Sequence, residues 1–359
     1  MDGMGSEAFV VRKEWPGPLQ QARFVIVNYD LLHKFEREIR SEEWDYLIVD
    51  EAHFLKSQKS RRTVYALGGI YKLDDETTKI VETIPAKHEI FMTGTPIPNR
   101  VKEGWTLFER CDPEGIGANF SVFVKRYCTS NDNLKELQER LRIKCMVRRA
   151  KSEVLSELPP KQRQVIPLDP EDLGCSRLFK QEMSIFKEYQ ALIQTWQVQI
   201  ELAKLNGVEF YRKTLAAKKQ KLGMKASELA KLRMSTAMAK VPAVIERVHE
   251  LKKEGKKVIL FAHHISVMDA LEEGLKAKGM TLVRVDGGTS INRRQEAVES
   301  FQAGKVDVFL GGIIPAGVGL TLTAADTVVF CELAWVPGNM TQAADRAPRL
   351  GQLLIVWVI

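Results

Sequence analysis

The chain has 359 residues, 45% of them hydrophobic and 28% charged, and a formal net charge of +7. That length supports two domains with separate cores, and the ordinary balance of apolar and charged residues excludes a disordered or fibrous chain. Five cysteines without CxxC spacing (Cys111, Cys128, Cys145, Cys175, Cys331) exclude a zinc ribbon or disulfide frame and read as reduced core thiols of an intracellular protein, while the mild positive surplus favours a polyanionic partner.

In chain order, Met1 to Glu14 is polar and shows no secretory signal. Arg23 to Tyr29 reads as a buried strand ending at Asn28-Tyr29-Asp30, and a charged helix through Leu32 and Phe35 follows. Tyr46-Leu47-Ile48-Val49 is a second buried strand, of the kind found inside parallel sheets, and it runs into Asp50-Glu51. Adjacent carboxylates repel and resist burial, so they need a reason at a strand's carboxyl end, where ligands bind. A hydrated Mg²⁺ on Asp50 supplies one, with Glu51 polarising an attacking water. The plainer reading is an acidic loop after a core strand. Glu89 to Met92 is another short strand, delivering the turn Thr93-Gly94-Thr95-Pro96.

Phe120 to about Leu155 has helical spacing and ends at Leu158-Pro159-Pro160, and Gln162 to Leu168 is extended. A long helical region covers about Ser176 to Met238. Within it, Ala203 to Lys240 holds ten lysines and arginines, Lys218, Lys219 and Lys221 among them, against two glutamates. The balance is +8, which suits either a solvated helical face or one turned to nucleic acid. A second α/β unit begins at Lys240, with Pro242 in the first turn of its helix. Strands follow at Lys257–Ala262, Leu282–Val285, Val306–Leu310 and Thr327–Cys331, with helices between them. The uncharged run Val308 to Ala325 contains Pro315 and four glycines, so it reads as a strand and a loop, not a membrane span. No membrane association is expected.

Asp50-Glu51-Ala52-His53, Thr93-Gly94-Thr95-Pro96, Ala316-Gly317-Val318-Gly319-Leu320 and the box from Gln342 to Gln352 resemble, in this order, the motifs of superfamily-two helicases. The last looks like the Q-x-x-D-R-x-x-R-x-G-Q box of Swi/Snf-type DNA translocases. Val258 to His264, Val285 to Ser290 and Glu332 to Gly338 resemble the annealing-helicase (HARP-like) branch, as do Met146 to Arg149 and Ala239 to Pro242. The likeness extends from about Arg23 to Gln352. It implies two RecA-like parallel-sheet lobes, with an N-terminal ATP-binding lobe over 1–160, a helical basic connection over 161–239 and a C-terminal lobe over 240–359. It implies ATP and Mg²⁺ as cofactors and duplex or branched DNA as partner. Asp50 would take the metal and Glu51 the water, Gln342, Arg346 and Arg349 would address the nucleotide, and the two arginines would act as fingers. Thr93, Gly94, Thr95, Gly317, Gly319 and Thr321 would couple nucleotide state to DNA contact.

Departures from the pattern temper this. No G-x-x-x-x-G-K-[ST] loop precedes Asp50, so the first lobe is expected to lack the strand and helix that carry it and to show an open sheet edge. A missing N-terminal segment or a helper protein would then supply the phosphate grip. Gly312, Ala344 and Pro348 stand where relatives carry serine, glutamate and histidine, and Pro348 threatens the aim of Arg349. The tail Leu353 to Ile359 is a closing strand or a frayed end. The expected function is an ATP-dependent DNA translocase or helicase core, without autonomous ATPase activity in this form. The alternative is a non-catalytic DNA- or partner-binding remnant. Either places the protein in a nucleus, or in the cytoplasm of a prokaryote or virus-infected cell.

Overall fold

The computed structural model describes residues 8–15, 22–74, 77–97, 99–129, 132–149, 153, 161–205, 208–314, 316, 320–325, 327–345 and 356–358. Its contacts divide the chain into two α/β units, Met1–Arg149 and Ala150–Ile359. In the first, β1 (Ala8–Val11) pairs in parallel with β2 (Phe24–Val27). Then β3 (Trp44–Val49) pairs in parallel with β6 (Ala86–Phe91), while β4 (Gly69–Lys72) and β5 (Thr78–Val81) form an antiparallel hairpin. Neither β1 nor the hairpin was legible as a strand in the sequence. The hairpin follows the Arg61–Leu67 helix, which closes when the Gly68 N–H donates to the Val64 carbonyl at 2.9 Å. Gly68 sits at φ +82 with Thr83 close by, so a side chain would be both strained and obstructed there.

The two parallel pairs are buried on one face only, which corrects the expectation of fully buried strands. Val11, Val49 and Phe91 turn toward the core with Ala52, Leu55, Val64 and Phe108. Val10, Phe24, Ile26, Tyr46, Ile48, Ile90 and Met92 are exposed on alternate positions. Parallel strands normally have both faces covered by helices; among the described residues no helix covers this one.

The second unit is built on a six-stranded, all-parallel sheet. In spatial order it runs β7 (Lys161–Arg163), β12 (Val356–Val358), β11 (Thr327–Phe330), β8 (Val258–Ala262), β10 (Val308–Gly312), β9 (Leu282–Val285). β12 settles the tail as a closing strand. Every residue of β8 and β10 is buried, as the unbroken apolar runs require. The helices Ile265–Ala277 and Ile291–Gln302 follow β8 and β9. Phe261 stacks on Phe330 at 5.2 Å and fills the space that Gly311 leaves open.

Two long helices, Ser176–Leu205 and Val208–Lys253, pack against each other, with the Lys225 ammonium 2.8 Å from the Glu188 carboxylate. The second runs straight through Pro242, so proline does not open a new helix there. Its missing N–H leaves the Met238 carbonyl without its helical donor. Core contacts of Val241, Val244, Ile245 and Val248 carry the helix across that gap, since their burial outweighs one lost bond. The helical stretch expected to reach Leu155 consists of Phe120–Tyr127 and Leu134–Lys144; Leu158-Pro159-Pro160 lies outside the described residues.

Burial sets a clear contrast for mutation. Phe261→Ala should cost the second unit about 3–5 kcal/mol. Ile48→Thr, at a position 51% exposed, should change the first by less than about 0.5 kcal/mol. Urea unfolding midpoints of the two variants test the ranking, and equal losses would contradict the one-sided burial of β3.

Candidate functional site

The register of β3 with β6 builds the first candidate site. Ile48 lies opposite Ile90 and Val49 opposite Phe91, and the ladder continues past both strands. Met92 N–H donates to the Val49 carbonyl at 2.8 Å, and Ala52 N–H donates to the Met92 carbonyl at 2.9 Å. Between these two bonds the chain must turn within Asp50-Glu51, and Glu51 takes φ +47, ψ +44. It is the one non-glycine residue in the left-handed region among the described residues. A residue so placed costs about 1–3 kcal/mol, a strain that recurs at functional sites.

The same ladder sets Thr93-Gly94-Thr95 beside the carboxylates. His53 Nδ1 lies 3.1 Å from Thr93 Oγ1 and 3.2 Å from Glu51 Oε2, and Thr95 N–H donates to Thr93 Oγ1 at 3.1 Å. Glu51 Oε2 is buried and makes no hydrogen bond, its close polar neighbour being the His53 imidazole at 3.2 Å. Burial holds the His53 pKa below its usual value, against the opposing pull of Glu51 and Asp50. The Tyr29 hydroxyl donates to the Asp50 carbonyl at 2.7 Å, and its pKa is pushed up to about 12, by burial first and then by Asp50 and Glu51. The Asp50 side chain is exposed and accepts the Glu51 N–H at 2.8 Å.

Two carboxylates, one exposed and one with an orphaned oxygen, fit a hydrated Mg²⁺. That ion prefers hard oxygen donors and keeps several waters, so it needs few protein ligands. Among the described residues no cluster of three or more His, Cys, Asp and Glu exists that would hold a metal without water.

The second unit gathers polar groups at the carboxyl ends of β8 and β11, where a parallel sheet places its ligands. Glu332, 5% exposed, accepts the His263 N–H at 2.8 Å and the His264 N–H at 2.9 Å, with His264 Nδ1 at 2.5 Å. Desolvation and the neighbouring His264 hold the His263 pKa down. Gln342 lies on the Pro337–Ala344 helix, whose Ala344 packs into the core where glutamate was the expected family residue. Thr321 is exposed beyond β10. Lys219 and Lys221 are exposed and Lys218 half-buried on the Val208–Lys253 helix. Gly317, Gly319, Arg346, Pro348 and Arg349 lie outside the described residues.

Asp50, Glu51, Thr93, Gly94 and Thr95 therefore form one cluster, while Lys218, Lys219, Lys221, Thr321 and Gln342 are distributed over the second unit. Sequence reasoning missed Tyr29, His53 as the bridge, and Glu332. Tyr29 ends a polar strand terminus, and His53 stands two residues from Glu51. Glu332 follows an apolar strand as Asp50 does, but stands alone, without the adjacent carboxylate that marked Asp50-Glu51.

Models of known families decide the affiliation. The SNF2-related domain matches residues 12–218, and the helicase conserved C-terminal domain matches residues 239–351. The chain belongs to the SNF2-related family. This SNF2-related chain is 30% identical over 344 residues to the SWI/SNF-related matrix-associated actin-dependent regulator of chromatin subfamily A-like protein 1 of Drosophila melanogaster, covering 92% of itself and 40% of that protein. It is 30% identical over 364 residues to the DNA annealing helicase and endonuclease ZRANB3 of Mus musculus, covering 96% of itself and 30% of that protein. It thus spans less than half the length of these relatives. Among solved structures, the Sulfolobus solfataricus SWI2/SNF2 ATPase core in complex with dsDNA shares 21% identity at a TM-score of 0.38, over 99% of this chain and 71% of that one.

A pH dependence follows from His53. The unfolded imidazole gains a proton near pH 6.5 that the buried one resists, so His53's contribution to stability is full above that pH and falls as the pH drops through the folded pKa. His33 is shifted the same way by burial, so the test is a difference. Between about pH 7 and about pH 5, His53→Asn should lose stability less steeply than the unaltered chain. Parallel curves would exclude the assignment.

Proposed function

We propose that the chain is the motor portion of a DNA-directed ATPase of the annealing-helicase kind. The observation that carries this reading is the Asp50–Glu51 pair at the end of β3, joined to Thr93 through His53. Asp50, exposed and acidic, is suited to hold a hydrated Mg²⁺, and Glu51, whose Oε2 is buried without a hydrogen bond, is suited to orient and polarise a water. The metal, when bound, supplies charge neutralisation for the phosphates. Thr93 senses that centre through His53, and Thr95 through its N–H bond to Thr93. Gln342, Arg346 and Arg349 take the nucleotide-facing role, arginine being suited by its planar, permanently charged fork. Gly94, Gly317, Gly319 and Thr321 join the coupling set. The names of the relatives, a chromatin regulator and a DNA annealing helicase, support DNA as the partner and the nucleus as the place.

Lys218, Lys219 and Lys221 are assigned to the DNA backbone. Lys225, Arg233 and Lys240 of the same basic stretch have protein partners, whereas Lys219 and Lys221 face solvent. Reversing the charge of all three should weaken duplex binding uniformly across sequences and flatten the slope of log K against log salt, because fewer counterions are released. An unchanged slope would make the stretch a solvated face.

One feature favours the non-catalytic alternative: these 359 residues contain no G-x-x-x-x-G-K-[ST] loop. Nucleotide phosphates carry several charges that must be fixed before a water can be aimed, and unneutralised carboxylates repel them. The chain by itself should therefore bind DNA and release phosphate at background rate. Steady-state phosphate release with and without duplex, compared with Glu51→Gln, separates the two readings. A DNA-stimulated rate abolished by Glu51→Gln would show a phosphate grip built from other residues.

A further inference from the structure

The loop joining β11 to the Pro337–Ala344 helix is gripped at every residue from Cys331 to Trp335. Lys240 Nζ donates to the Cys331 carbonyl at 2.7 Å. The Glu332 carboxylate is held by the two backbone N–H groups and the imidazole after β8. Arg233 Nη2 donates to the Leu333 carbonyl at 2.9 Å, and its guanidinium lies 4.1 Å from the centre of the Trp335 ring. Between those two contacts, Ala334 N–H points at Met340 Sδ, 3.3 Å away on the following helix and two residues before Gln342.

Two of these grips, Arg233 and Lys240, come from the same helix. They are seven residues apart, so they sit two turns apart on one face. From Ala237 onward that helix is locked into the core by Val241, Val244, Ile245, Val248 and Leu251. Its earlier part carries Lys218, Lys219 and Lys221, about 20 Å from Arg233 at the rise of an α-helix. Arg233 thus stands between the basic half, which packs on the Ser176–Leu205 helix through Lys225, and the half docked on the sheet. A single guanidinium fixes both the carbonyl of Leu333 and the ring of Trp335, so the two move together. Lysine, a compact point charge without a planar fork, could hold the carbonyl or the ring and not both at once.

We propose that Arg233 is a positioning residue that relays nucleic-acid engagement on the basic half of the Val208–Lys253 helix to the Cys331–Trp335 loop and so to Gln342. The proposal rests on the reading that Lys218, Lys219 and Lys221 meet DNA backbone. A helix is stiff over this length, so a load on the lysines passes along it to Arg233, the first of its residues to grip the Cys331–Trp335 loop. From there it passes through the Leu333 carbonyl and Trp335 ring to Ala334, and through Met340 to the helix that carries Gln342. No step needs the buried sheet to deform.

The test is amide hydrogen exchange on the full chain, free and with a short blunt-ended DNA duplex. In the free chain, Arg233→Ala should speed exchange at residues 333–336 by about tenfold, with Arg233→Lys intermediate. In the unaltered chain, the duplex should change exchange over 333–342. Arg233→Ala should bind the duplex within about twofold of the unaltered chain, since the lysines carry that affinity, and should lose the DNA-induced change. A purely structural arginine would alter the free chain and leave the DNA-induced change in place, which would overturn the proposal. If Arg233→Ala does not fold, Trp335→Leu removes the ring contact alone and should blunt the same response; a full response would equally overturn it. Duplex binding without any exchange change over 333–342 removes the relay only. Failure to bind duplex removes the nucleic-acid reading and the relay with it.

Discussion

The first unit depends on the parallel register of β3 with β6. That register fixes which residues meet at the carboxyl edge, and a slip of one residue would turn every side chain to the other face. With Val49 opposite Phe91, the two ladder bonds around Met92 close over Asp50 and Glu51 and leave the chain no extended route between them. The strained turn, the exposed Asp50 and the buried Glu51 oxygen all follow from that pairing. So does the approach of Thr93 to His53, because Thr93 is the first residue after the shared ladder ends.

The two units solve a similar problem in opposite ways. Each sets a glutamate and a histidine at the carboxyl ends of its parallel strands. In the second, both oxygens of Glu332 are occupied, which suits a group that braces two loops. In the first, one oxygen of Glu51 has no hydrogen bond although an imidazole stands 3.2 Å away. A buried acceptor left open is costly, a cost that Glu332 does not carry. On the proposed reading, the open oxygen of Glu51 is the one that addresses a water, while Glu332 is spoken for within the protein.

Much of this was legible in the sequence where apolar runs end abruptly in polar residues. β2, β3, β6, β8, β9 and β11 were readable in that way, as was the Asp50–Glu51 terminus, and β10 was readable from the glycine-rich loop that follows it. What escaped had no such edge. β1 lies in a mixed polar stretch, and the β4–β5 hairpin is short, half polar and exposed on much of its surface. The proline at 242 suggested a helix start because local rules favour it there, and core burial on both sides overrode them. One-sided burial of β3 was invisible for a different reason. Composition shows that a strand is apolar and cannot show whether anything lies over it. Tyr29 meets Asp50, His53 meets Thr93 and Arg233 meets Leu333, each pair more than twenty residues apart, and no spacing rule connects them.

The left-handed backbone at Glu51 has an evolutionary consequence. Glycine occupies that conformation without steric cost and asparagine nearly so, whereas glutamate does not. Among single substitutions at this turn, those that relieve the backbone are the ones that delete the long carboxylate. A population selected in the laboratory for heat survival alone would drift toward glycine at position 51, gaining stability as it discarded the group that distinguishes this loop from an ordinary strand end. Glutamate at this turn therefore costs the fold a stability that glycine would return.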